Sequence, residues 1–247
     1  TKRLQLVLNV PLVYRQTTYE IGGEGDASNA LGQATVTTHG PRLGDISFGA
    51  YYQLLTESKN WPSLTGSLLL TAPTGINPYG IKTYQPDGNN SNLTVPTSLP
   101  TGNGVWTLNP SLSFVSTSDP AIFFGSVGYY YNLNRNFPDV STTPDVIQPG
   151  QIALGNAFQY SLGVAFALND RLSLSTSFAD RLQSDTKIRT PSGNWSAIVG
   201  SGANVAEVNV GMTYAFTPKT SLILNLAAGM TSSAPSFQLT ATIPYNF

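Results

Sequence analysis

The chain has 247 residues with no cysteine, one histidine, 12 Lys+Arg against 13 Asp+Glu, and 10% charged residues overall. This excludes a disulfide scaffold, a thiolate metal site and any mechanism that needs two histidines. With no basic excess to capture a phosphate backbone, nucleic acid is not expected as a partner. An ordinary soluble domain carries about 25% charged residues to keep its surface in water, so the deficit implies that part of this surface faces something else.

No window approaches the roughly 18 to 20 consecutive apolar residues of a membrane-spanning helix. The chain opens at Thr1-Lys2-Arg3 without a signal peptide, as a processed form or a cut fragment would. What dominates instead is a period of two. Leu4, Leu6, Leu8, Val10, Leu12 and Tyr14 fall on one face of an extended segment, with Gln5, Val7, Asn9, Val13 and Arg15 on the other. Next, Ile46, Phe48, Ala50, Tyr52 and Leu54 oppose Asp45, Ser47, Gly49, Tyr51 and Gln53, and then Leu64, Leu68, Leu70 and Ala72 oppose Ser63, Thr65, Ser67 and Thr71.

The pattern continues to the end. Trp106, Leu108, Leu112 and Phe114 oppose Thr107, Asn109, Ser111 and Ser113, and Ala121, Phe123, Val127, Tyr129 and Tyr131 oppose Phe124, Ser126 and Asn132. Leu154, Phe158, Tyr160, Leu162, Val164 and Phe166 oppose Gly155, Gln159, Ser161, Gly163 and Ala165. Leu172, Leu174 and Phe178 oppose Ser173, Ser175, Ser177 and Arg181. Val208, Val210, Met212, Tyr214 and Phe216 oppose Glu207, Asn209, Gly211 and Thr213. The last two segments set Leu222, Leu224, Leu226, Ala228 and Met230 against Ser221 and Asn225, and Phe237, Leu239, Ile243, Tyr245 and Phe247 against Gln238, Thr240, Thr242 and Asn246.

These ten segments run roughly 10 to 14 residues, against about 5 or 6 for ordinary strands, and a tilted strand crosses the hydrocarbon in about 9 to 11. Tight joints at 56–62, 117–120, 169–171 and 217–219 alternate with long polar stretches at 20–42, 73–104, 132–152 and 184–204; only Ser232 to Ser236 is a short connection on the long-loop side. Short turns on one side and long loops on the other predict an all-β, transmembrane, antiparallel up-and-down barrel, one domain over 1–247, in the bacterial outer membrane with the lipid bilayer as its partner. A soluble β-sandwich explains the alternation but not the segment length, the loop asymmetry or the charge deficit. Aromatics gather at the segment ends, as in interfacial girdles, among them Tyr14, Trp106, Tyr131 and Phe158 and, at the other end, Tyr214, Phe216, Tyr245 and Phe247.

The polar face then lines a lumen. Its expected lining is Arg15, Asp45, Ser47, Thr65, Ser67, Asn109, Ser111, Ser126, Gln159, Ser161, Ser173, Ser175, Arg181, Glu207, Asn209, Asn225 and Thr240. This is a nearly neutral wall of small hydroxyls and amides, suited to an uncharged or weakly charged extended solute, although small residues also serve tight curvature. The stretch from Pro73 to Gly104 is too long for a simple hairpin and reads either as a lid over the mouth or as a surface loop. No enzyme, cofactor or metal is expected: there is no GxSxG elbow, His39 reads as a solvated loop residue, and Glu24 with Asp26 sits in a Gly-rich loop as a weak cation binder at most. The sequons Asn92-Leu93-Thr94 and Asn194-Trp195-Ser196 are short enough to occur by chance.

Gly44-Asp45 opening a segment, Leu70-Thr71-Ala72-Pro73-Thr74-Gly75 closing one, and the terminal Tyr245-Asn246-Phe247 together resemble the outer-membrane proteins of the meta-pathway phenol degradation family. Within that family, the opening LQLVLNVPLVYRQTTYE is similar to the barrel of the Fap group of functional-amyloid secretion channels of pseudomonads. The resemblance implies twelve strands, a homotrimer formed through a preceding coiled coil, a helical plug, and insertion by the barrel assembly machinery through the terminal aromatic. It also implies secreted amyloid subunits as partners, in the setting of biofilm. Its alternative in function is passive diffusion of small or aromatic solutes.

Overall fold

In the computed structural model, which describes residues 3–21, 32–86 and 93–245, the chain is all-β. Ten strands form one antiparallel sheet: β1 (Leu4–Asn9), β2 (Ile46–Leu55), β3 (Ser63–Ala72), β4 (Thr107–Ser118), β5 (Ala121–Asn132), β6 (Ala157–Ala167), β7 (Leu172–Gln183), β8 (Ala203–Thr217), β9 (Thr220–Gly229) and β10 (Phe237–Thr242). Each pairs with its sequence neighbour, so the sheet is an unbroken up-and-down meander. The count is the ten read from the alternation, where the resemblance implies twelve. Among the described residues β1 pairs only with β2, and β10 only with β9.

Turn chemistry explains the tight side. The Asn169 side-chain oxygen accepts from the N–H groups of Arg171 and Leu172, both at 2.9 Å, and Thr217 Oγ1 accepts from those of Lys219 at 3.2 Å and Thr220 at 3.0 Å. Both side chains satisfy backbone donors that a two-stranded turn leaves over. Between β2 and β3, Ser58 and Trp61 bridge each other, and Glu57 accepts the Thr117 N–H of the next turn.

On the other side the long connections are built structure rather than bare loop. Leu12–Val13 pairs with Arg42–Leu43, and Gln16–Ile21 with Gly32–Thr37, so the β1–β2 hairpin continues beyond the sheet. Pro11, which has no N–H to give a ladder, separates the two parts. Thr83–Tyr84 pairs with Val95–Pro96. Arg135–Phe137, Gly150–Ala153, Lys187–Arg189 and Ser196–Ala197 make a four-stranded sheet drawn from two connections.

The buried apolar clusters lie in this cap, not in the main sheet. One joins Ala34 and Val36 to Leu93, Val95 and Leu99, with Tyr19 packed against it. The other joins Val105, Phe137 and Ile152, flanked by Tyr79, Val140, Leu154 and Ile188. In the main sheet most large apolar side chains point the other way, into the surroundings: Leu6 is 75% exposed, Leu162 59% and Leu239 72%. A water-soluble sheet would bury that face, and this one presents it along its whole length.

Candidate channel lining and mouth

Register decides which side chains share a face. The cross-strand pairs Ser67 with Ser111, Ser126 with Ser161, Gln159 with Arg181, and Asn225 with Thr240 tie one face together around the meander. Ser47, Thr65, Asn109, Ser173, Ser175, Glu207 and Asn209 fall on the same face by the same registers. Neighbouring strands join their small polar groups directly: Ser67 Oγ and Ser111 Oγ are 2.6 Å apart, Ser126 Oγ and Ser161 Oγ 2.8 Å, and Asn225 donates to Asn209 Oδ1 at 2.8 Å. Such bonds hold the side chains against the wall and satisfy donors in place of water.

Arg15 and Asp45 lie elsewhere. Arg15 follows the Leu12–Val13 strand in the extended hairpin, exposed, with its backbone N–H directed at Thr38 Oγ1. Asp45 sits just before β2, where one carboxylate oxygen accepts from Gly75 N at 2.9 Å and the other from Asn103 N at 2.6 Å. Its role in the structure is to tie the second long connection to the rim of the sheet, since both oxygens are engaged by backbone. A Cβ at Gly102 would overlap that carboxylate, which explains the glycine beside it.

The polar face also carries bulk. Tyr51 and Phe124 fall there as the alternation placed them, and Leu69, Val115, Tyr130 and Ile223, which were not in the expected lining, join them by register. Tyr130 stands in the run Tyr129-Tyr130-Tyr131, whose parity alone puts the middle ring opposite its neighbours. Its hydroxyl donates to Gln159 Oε1 at 3.0 Å, and the Arg181 guanidinium lies 4.6 Å from its ring centroid. Around them Thr71, Asn103, Thr107, Asn132, Leu154 and Gln183 enclose a pocket of about 290 Å³ at the long-loop end. Residues from β3, β4, β5 and β7 line this one space, so the sheet curls around its polar face.

Charge on the ten strands is confined to one spot. Asp180 and Arg181 on β7 and Glu207 on β8 are the three charged residues there. Arg181 and Glu207 stand on the polar face, while Asp180 stands on the apolar one, 7% exposed, with Oδ2 accepting from Tyr160 Oη at 3.0 Å. Neighbouring rings cover that patch, with Tyr160 6.1 Å from both Phe158 and Phe178.

The aromatic side chains of the apolar face sit at both of its ends. Trp106, Tyr131 and Phe158 are exposed toward the long connections, and Phe216 and Tyr245 toward the short turns, where Tyr214 meets Phe216 edge-on at 5.3 Å. Tyr14 is exposed on the extended hairpin, beyond the sheet. Phe247, the Glu24 and Asp26 pair and Asn92 lie outside the described residues.

Above the mouth the cap is pinned by Lys82. Its Nζ reaches Asp139 Oδ2 at 2.7 Å and the carbonyls of Ser141 and Val146, and this is the one ion pair among the described residues. The Lys82 bond and the Gln148 and Ser141 N–H groups together hold the Asp139 carboxyl down at about 2. Burial pushes the Tyr79 phenol up to about 12, its ring 4.7 Å from that of Phe137. Arg135 donates to the Gly104 carbonyl at 2.7 Å, and Thr101 Oγ1 to that of Leu43 at 2.8 Å. His39 is exposed, with a ring nitrogen 3.0 Å from the Thr97 carbonyl. Among the described residues no three His, Asp or Glu side chains gather as a metal site.

No family model matches the chain. Its structure is similar to the crystal structure of an outer-membrane channel from Pseudomonas putida F1, at a TM-score of 0.61 and 18% sequence identity, covering 99% of this chain and 77% of that one. The fold is thus that of an outer-membrane channel barrel.

Proposed function

We propose that the chain is a β-barrel channel of the bacterial outer membrane, with the apolar face toward lipid and the hydroxyl- and amide-rich face around a lumen. The observation that carries this is the division of one ten-stranded meander into a continuous exposed apolar face and a polar face with two charges. A spanning sheet must satisfy its backbone internally and offer hydrocarbon only apolar side chains. Exposed aromatic rings at both ends of the apolar face suit headgroup contact. The reading involves no chemical step and no cofactor, and the long connections face outward, as is general in such barrels.

For the cargo, the resemblance supports an unfolded amyloid subunit, whose Gly, Asn, Gln and Ser side chains would be neither trapped nor repelled by a wall of Ser, Thr and Asn. A trimer and the assembly machinery belong to that same reading. A second reading, passage of small solutes, is favoured by the size of the mouth pocket and by the packing of the connections above it, since a polypeptide would need that cap to move. Planar-bilayer conductance separates them. An open pore transiently blocked by an unfolded amyloid-type subunit added on the short-turn side is the expected result. A pore indifferent to the polypeptide would leave the small-solute reading, and an absence of conductance would reject both.

A further inference from the structure

We infer that the mouth pocket is a binding site for a small monocarboxylate with an apolar body, and that Arg181 determines this specificity. The inference rests on the channel reading but not on the choice of cargo. Three observations point to it.

First, Arg181 Nε is buried and has no hydrogen-bond partner. A buried guanidinium nitrogen left unsatisfied is costly and rare, and an acceptor brought into the pocket, a ligand oxygen or an ordered water, would satisfy it. Second, the guanidinium is positioned in advance. It lies over the Tyr130 ring, and that ring is fixed by its hydroxyl bond to Gln159, the register partner of Arg181 itself. A stacked guanidinium keeps its edge free for a fork of two parallel bonds, the geometry a carboxylate matches.

Third, the pocket has the remaining requirements of such a ligand. Its lining contains no carboxylate, while Thr71, Asn103 and Gln183 add neutral polar groups and Leu154 with the Tyr130 ring gives an apolar side. Glu207 stands one inward-facing position nearer the short turns on the adjacent strand and is not part of the lining. Asp45, close by through its bond from Asn103, has both oxygens occupied. A volume of about 290 Å³ has room for a ring bearing one carboxylate.

The test is equilibrium binding of benzoate to the folded protein in detergent micelles, by calorimetry, with benzamide as the uncharged isostere. Heat-modifiable migration checks that each variant is folded. Benzoate should bind and benzamide should not. Arg181→Gln should weaken benzoate at least about tenfold, the scale of one lost charge-assisted pair. Arg181→Lys, which keeps the charge but loses the fork, should fall between. Lys219→Gln removes the same charge from an exposed turn and should bind as the unaltered chain does. Equal benzoate affinity with and without Arg181, or equal binding of benzamide, would overturn the assignment. Because binding is read without current, a pore that conducts but does not bind benzoate rejects this site alone. Binding without conductance rejects the channel reading alone.

Discussion

Asp139 shows how much a single side chain contributes to holding the cap. Its oxygens accept from Lys82 Nζ at 2.7 Å, from Ser141 N at 2.9 Å and from Gln148 N at 3.1 Å, so one carboxylate fastens the second long connection to the third. Its folded-state pKa of about 2 lies below the usual 3.8. The stabilisation is therefore fully present above about pH 4 and is lost as pH falls toward 2. Pepsin cleavage between Val140 and Gln148 should accelerate over that window, relative to a control site, and Asp139→Asn should abolish the pH dependence while leaving the segment cleavable throughout. The local half of this arrangement was legible: Asp139 two residues before Ser141 is a side-chain turn signal. Lys82, 57 positions earlier, was not, because nothing in a polar connection announces which distant connection it meets.

At the scale of the strand, parity decides the consequence of a substitution. Leu162 and Ser161 are adjacent in the middle of β6, yet one is 59% exposed on the apolar face and the other is bonded to Ser126 on the polar face. With the apolar face in lipid, Leu162→Arg should cost about 2–4 kcal/mol near the midplane. Ser161→Arg should fold, losing about 1 kcal/mol for the Ser126 bond, and should reduce conductance by narrowing the lumen. Urea titration in lipid vesicles measures the first difference, and bilayer recording the second. Strand positions and faces were readable because the side-chain period of two is a local property. The four-stranded cap sheet was not, since Gly150–Ala153 finds its partner Lys187–Arg189 in another connection and neither run is long enough to show a period. Asp180 shares the parity of Leu172, Leu174 and Phe178, so the alternation itself puts it on the apolar face, but nothing local announces the Tyr160 hydroxyl of the neighbouring strand that partners it there.

The whole molecule is a wall and a cap with opposite interiors. The wall turns most of its small polar groups inward and most of its large apolar ones outward, while the cap buries Val95, Val105 and Ile152 completely. Deleting residues 187–199 would remove two of the four strands of the cap sheet and uncover Ile152, leaving β7 and β8 to be joined by a shorter connection. The shortened protein should still insert, and its bilayer conductance should be larger than that of the full chain. Equal conductance would mean that the cap does not restrict the mouth.

This division also means that temperature acts differently on the two parts. The cap's clusters are held together by exclusion of water, a force that weakens on cooling. The leucines and phenylalanines of a lipid-facing wall exchange one apolar neighbour for another and carry no such dependence, while the ladder bonds behind them persist. In the cold the cap slackens first, above a wall that scarcely notices.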